Sequence, residues 1–236
     1  MAQRIGIPKT TVARAVNALV GAGYVARHPS GRTYYADYGV LTLAGDLLQR
    51  LTLRQRAAPH LHRLAARAGV TCYLGVLWRG QAVVLDRATP VLLHDHSLDI
   101  GKHNPLHVSA MARAILAFLP AEQREAAIAA CDFASLSPST ITDRDAFRRE
   151  LERTRERAYA RTEQDQGRGR RSVAAPIFDA RGQPVGALAS ANWDPEQTPL
   201  ERLSQIIQET QEAAQAVSYT LGFGGAPVLP PAASAR

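Results

Sequence analysis

At 236 residues and 46% hydrophobic, the chain can bury a core and divide into one small and one larger domain. No apolar run reaches the roughly 18 residues of a membrane span, and no signal-peptide pattern opens the chain. Two distant cysteines, Cys72 and Cys131, exclude a disulfide framework and predict a soluble cytoplasmic protein, and a net charge of +7 points to a polyanionic partner.

The charge sits at the start of the chain. Through Ala36 the ionised residues are Arg4, Lys9, Arg14, Arg27 and Arg32, with no acid among them, so this stretch carries most of the excess. Concentrated positive potential suits phosphate binding, because neutralised phosphates release condensed counterions. In "IPKTTVARAVNALVGAGYV", Val12, Ala15, Val16, Leu19 and Val20 recur at helical spacing. Pro8 suits the first turn of that helix, and Gly21 with Gly23 ends it. The opposite face carries Thr10, Arg14 and Asn17, with Lys9 and Thr11 beside them. Arg and Asn make bidentate contacts to guanine and adenine edges, whereas Thr and Lys suit phosphates or the thymine methyl. Gly6 separates "MAQRIG" from this helix by a short turn, as in a helix-turn-helix. "YVARH" and "RTYYA" flank "PSG" and predict a hairpin with Arg27 and Arg32 near its tip. The sum is a winged helix-turn-helix over residues 1–38, with double-stranded DNA as partner. Thr10, Thr11, Arg14 and Asn17 would read bases, and Lys9, Arg27 and Arg32 would hold phosphates.

Residues 39–57 predict a linker helix, with Leu41, Ala44, Leu48 and Leu51 near one face and a break at Ala58–Pro59. An apolar stripe between domains suits a contact between two copies spanning two half-sites. Residues 58–222 form the larger domain, opening with a helix that carries Leu61, Leu64 and Ala65. Hairpins are predicted around Arg79-Gly80 and around Asp179 to Gly182. Three helical stretches lie between them: "HVSAMARAILAFL", "AEQREAAIAAC" and "RDAFRRELERTRERAYA". The last has Phe147, Leu151, Thr154 and Ala158 as its core stripe, with Thr142 and Asp145 as a capping box. A closing helix buries Leu203, Ile206, Ile207, Ala213, Ala214 and Val217. Distant hairpins joined by helices predict an α+β domain, one antiparallel sheet flanked by helices. The Gly/Pro/Ala-rich stretch 223–236 predicts a disordered tail.

Two other chemistries are weaker. His94, His96, His103 and His107 crowd one stretch with Asp95 and Asp99, but without rigid metal-ligand spacing. Ser109 or Ser172 with His107 could suggest a hydrolase, yet no Gly-x-Ser-x-Gly elbow accompanies them. No enzyme activity, metal or cofactor is expected.

"GIPKTTVARAVNALVGAGYV" resembles the recognition segment of IclR-family transcriptional regulators, whose usual pattern is Gly-Leu-Pro-Lys-Ser-Thr, an apolar helix, and Gly-Tyr-Val. "PLHVSAMARAILAFLP", "ITDRDAFRRELERTRERAYA" and "RSVAAPIFDARGQPVGALASA" are similar to the family's effector-domain segments, in the family's order across residues 1–222. The resemblance implies a GAF/PAS-like effector-binding domain and a homodimer or dimer of dimers. It also implies that "MAQRIG" corresponds only to the end of the second helix of the winged domain, whose first helix would lie upstream of Met1. The rival expectation is a shortened module that binds ligand and dimerises but holds DNA poorly. By position, the family's effector residues fall on Ala110, Met111, Thr162, Arg170, Ser172, Ala189 and Ala191. Members that bind small keto acids carry an acidic residue, a cysteine and two serines where this chain has Thr162, Ser172, Ala189 and Ala191. The less polar lining implies an aromatic or longer aliphatic acid, with Arg168, Arg170 or Arg171 near the mouth for its carboxylate.

Overall fold

The computed structural model describes residues 6–90, 99–165, 167, 171–191, 193 and 198–225. It divides into two compact units, Met1–Thr52 and Leu53–Arg236.

In the first unit, helix α1 (Lys9–Gly21) starts at Pro8, whose carbonyl accepts from Thr11 and Val12 N–H at 3.0 and 3.1 Å. It stops where the pattern predicts. Gly23 takes φ +75°, Tyr24 N–H donates to the Leu19 carbonyl and Gly23 N–H to the Val20 carbonyl, each at 3.0 Å. Those two bonds are the Schellman arrangement, which satisfies carbonyls the helix end would leave bare. The hairpin follows as β1 (Val25–Arg27) and β2 (Tyr34–Ala36), paired antiparallel with Arg27 opposite Tyr34. Helix α2 (Gly39–Arg50) closes the unit. Its first residue lies so close to the α1–β1 turn that a Cβ on Gly39 would come within 2.5 Å of the Gly23 carbonyl oxygen.

The helix break is not at Ala58–Pro59. Leu51 has extended backbone (φ −75°, ψ 97°), and α3 (Thr52–Ala68) runs straight through Pro59. Pro59 lies on an exposed part of α3, where water can take the backbone bond a proline forfeits. No Gly or Pro marks Leu51, so composition pointed to the wrong joint.

The second unit is built on a six-stranded antiparallel sheet of order β5-β4-β3-β8-β7-β6. Its strands are β3 (Thr71–Trp78), β4 (Gln81–Ala88), β5 (His103–Pro105), β6 (Ala160–Glu163), β7 (Arg171–Phe178) and β8 (Pro184–Ala191). Both predicted hairpins are present as β3–β4 and β7–β8. The short edge strands β5 and β6 were not predicted. β6 takes over the end of a stretch read as helical, because α6 (Arg144–Arg157) stops at Ala158 with φ 61°. The cap of α6 is also one residue on from the predicted box: Asp143 accepts from Ala146 N–H at 2.7 Å.

Alternation along each strand sends neighbouring side chains to opposite faces. One face packs on α3 and α7 (Leu200–Thr220) through Leu61, Leu64, Cys72, Leu74, Val173, Ile177, Leu188, Ile206 and Val217. Ile207 and Ala213 of the closing helix are only partly buried. The other face is covered by α4 (Ala110–Leu116), every residue of which is buried. Beyond it, α5 (Ala121–Ala130) and α6 share a third cluster with Leu116, Ile128, Phe147 and Leu151. Phe223 stacks on Phe178 at 5.2 Å between ring centroids, so the chain is placed through at least this part of the predicted tail. Residues 226–236 of that tail lie outside the described residues.

Candidate functional site

In the first unit, the polar face predicted for α1 is open. Lys9, Thr10, Thr11, Arg14 and Asn17 are all exposed, while Val12 and Val16 on the other side are half-buried. Leu19 and Val20 of the stripe remain exposed, at 44% and 38%. Arg32 is exposed in the hairpin loop. Arg27 is also exposed but turned onto the loop: its Nε donates to the Gly31 carbonyl at 3.1 Å, and its guanidinium lies 5.9 Å from the Tyr34 ring centroid. It braces the loop that presents Arg32. Residues 1–5, including Arg4, and with them the predicted end of a preceding helix, lie outside the described residues.

In the second unit, the predicted effector residues fall on one face of the sheet. Thr162 pairs with Ser172, Ser172 with Ala191, and Ala191 with Thr71, forming one row across β6, β7, β8 and β3. The next row reads Ala160, Ala174, Ala189 and Tyr73. Thr162 and Ser172 hydroxyls bond each other at 2.7 Å. Ala110 and Met111 of α4 pack into the same cluster as Ala174, Ala187, Ala189 and Ala191. Met111 lies directly on Gly75: a Cβ there would sit 2.5 Å from its Sδ, so a side chain at 75 would push the thioether aside. This face of the sheet therefore carries small side chains under one long, flexible one. Arg168 and Arg170 lie outside the described residues; Arg171 is half-buried at the start of β7.

Sequence reasoning missed the polar lock beside this face. Arg113, 2% exposed, donates to the His107 carbonyl through Nε (3.1 Å) and Nη2 (2.5 Å). It also donates to the Arg161 carbonyl (3.1 Å) and to Asp165 Oδ1 (2.5 Å). Asp165 in turn accepts from Glu163 N–H through Oδ2, and its carbonyl accepts from Thr140 Oγ1, both at 2.8 Å. The lock ties α4 to the loop after β6. Its only sequence signal was a lone basic residue among apolar neighbours in "MARAIL". Behind the sheet, Cys72 Sγ contacts Ser190 Oγ at 3.4 Å, and Ser190 bonds Thr210 at 2.8 Å. Burial pushes the Cys72 thiol up to about 12, against the pull of the Ser190 hydrogen bond.

The alternative chemistries find little geometry. His107 is buried with Nε2 at 3.0 Å from the Ala134 carbonyl and Nδ1 at 3.6 Å from Cys131 Sγ. Ser109 caps α4 by accepting from Ala112 N–H, and Ser172 is engaged with Thr162. His103 is exposed on β5, and His94 and His96 lie outside the described residues. Among the described residues no group of three or more His, Cys, Asp or Glu could hold a metal, and no described helix is long and apolar enough to cross a membrane.

Residues 45–219 match the family profile described as the bacterial transcriptional regulator IclR C-terminal domain. Among curated proteins, the glycerol operon regulatory protein of Streptomyces griseus is 30% identical over 234 residues, covering 95% of this chain and 88% of that one. An IclR transcriptional regulator from Alicyclobacillus acidocaldarius shares the fold, with TM-score 0.80, 23% identity, and coverage of 92% of this chain and 87% of the other. An IclR homolog from Microbacterium hydrocarbonoxydans, solved in complex with 4-hydroxybenzoate, superposes with TM-score 0.75 at 25% identity over 93% of this chain and 88% of its own.

Proposed function

Because the chain belongs to the IclR family of bacterial transcriptional regulators, we propose that it binds operator DNA through α1 under the control of a small effector held in the second unit. The observation that carries this reading is the exposed row of Lys9, Thr10, Thr11, Arg14 and Asn17 on a helix followed at once by a hairpin. Thr10, Thr11, Arg14 and Asn17 read base edges in the major groove. Lys9 and Arg32 hold phosphates, and Arg27 shapes the hairpin loop while adding its charge.

The effector is an aromatic or longer aliphatic acid. Alanine at 189 and 191, and the Thr162–Ser172 hydroxyl pair in place of charged groups, support an apolar body with few polar contacts. The 4-hydroxybenzoate bound by the Microbacterium relative is of that class. Effector binding shifts the population of DNA-competent states to the extent that its affinity for them differs.

The pairing surface is α2. Val40, Leu43 and Leu47 are 41%, 55% and 59% exposed at i, i+3 and i+7, an apolar face that a second copy would cover to place two α1 helices on one duplex.

Fluorescence anisotropy with duplex DNA tests the assignment. Arg14→Ala is expected to relax discrimination between a selected site and bulk DNA, by about 1–3 kcal/mol. Lys9→Ala should weaken binding to both alike and flatten the salt dependence by about one phosphate. Equal losses on both DNAs for both variants contradict it.

A further inference from the structure

We propose that Thr71 is a ligand-contacting residue, and that the effector is a flat ring with polar groups at opposite ends, its hydroxyl taken by Thr71 and its carboxylate by the Thr162–Ser172 end. This rests on reading the small-residue face of the sheet as the effector site.

Thr71 is 1% exposed, and its Oγ1 is buried with no hydrogen-bond partner. Buried hydroxyls are ordinarily paired, and an orphan is a cost that folding alone does not explain. The residue's register defines where that hydroxyl belongs. Thr71 pairs with Ala191, and strand alternation places it with Tyr73 and Gly75, opposite the face of Cys72 and Leu74. It therefore stands at one end of a row whose far end is the bonded Thr162–Ser172 pair, with the bare methyl of Ala191 between.

Each hydroxyl of that pair keeps acceptor capacity, and one O–H is unspent. Thr71 and Ser172 are two strand spacings apart, about 10 Å. A three-carbon keto acid cannot touch both. A six-membered ring lying over Ala191, with a carboxylate at one end and a hydroxyl at the other, reaches each through a hydrogen bond of about 2.8 Å. Replacement of either end by hydrogen would strand a buried hydroxyl again, which is how such a site discriminates.

Calorimetric titration of the full chain with 4-hydroxybenzoate and with benzoate tests this, using wild type, Thr71→Val and Ala189→Val (or Ala191→Val should the first not fold). The wild type is expected to prefer the para-hydroxylated acid by about tenfold. Thr71→Val should abolish that preference, leave benzoate affinity unchanged, and melt no lower than wild type, since no internal bond is lost. Ala189→Val should weaken both acids. If Thr71→Val keeps the preference while Ala189→Val abolishes binding, the site stands and the role of Thr71 falls. If Ala189→Val leaves both affinities intact, the site reading fails and takes the proposal with it. A clear drop in the melting temperature of Thr71→Val, or binding of neither acid by wild type, overturns the proposal.

Discussion

Arg113 brings a full charge into the interior of the second unit and meets it with two backbone carbonyls and one carboxylate. Such a pair contributes little beyond what two apolar residues would, but removing one partner leaves a bare charge in a poor solvent. Asp165→Asn is therefore expected to lower unfolding free energy by about 3 kcal/mol, measured by urea denaturation. A loss below about 1 kcal/mol would mean that Arg113 is solvated after all. Cys72 makes a cleaner titration case. Its thiol is held neutral up to about 12 in the native chain, against about 8.5 when unfolded. The stability this contributes is complete below the unfolded value and drains away as pH rises toward the native one. Wild type should lose stability between pH 8.5 and pH 11 relative to Cys72→Ala, and parallel stability curves would contradict the burial argument. In the sequence Arg113 is only a lone basic residue in an apolar run, and the orphaned hydroxyl of Thr71 is a property of the folded sheet alone. The base-reading face of α1 was legible because helical period and residue chemistry coincide there.

Elements were legible in proportion to how much local patterning they carry. α1, the paired strands β3–β4 and β7–β8, and α7 each show a regular apolar period with turn residues at their ends. β5 and β6 are three and four residues long, too short to show a strand period, and join the sheet through backbone pairing, β5 with β4 and β6 with β7. The joint at Leu51 was hidden for a related reason: Pro59 is the obvious breaker, yet an exposed proline in a helix anchored by buried Ala57, Leu61 and Leu64 is tolerated. On the proposed reading a second copy of the chain covers α2. Leu43→Lys with Leu47→Lys is expected to shift sedimentation from dimer toward monomer while leaving the far-ultraviolet spectrum unchanged. A dimer of undiminished stability would place the pairing surface elsewhere.

For the whole molecule the separation of tasks follows the charge. The basic residues through Ala36 are unaccompanied by acids, whereas the second unit spends many of its arginines on carboxylates within itself, such as Arg54 on Asp86, Arg148 on Glu125 and Arg157 on Glu150. On the proposed reading the first part is free to attract a polyanion, while the second pairs much of its charge internally around a sheet that holds its small-residue face under α4. The most direct test of the central claim is selection from a randomised duplex pool by the full chain and by its Arg14→Ala, Asn17→Ala variant. The account predicts that wild type enriches a two-fold symmetric sequence and that the variant enriches none. Enrichment of the same sequence by both, or of no sequence by wild type, would contradict it.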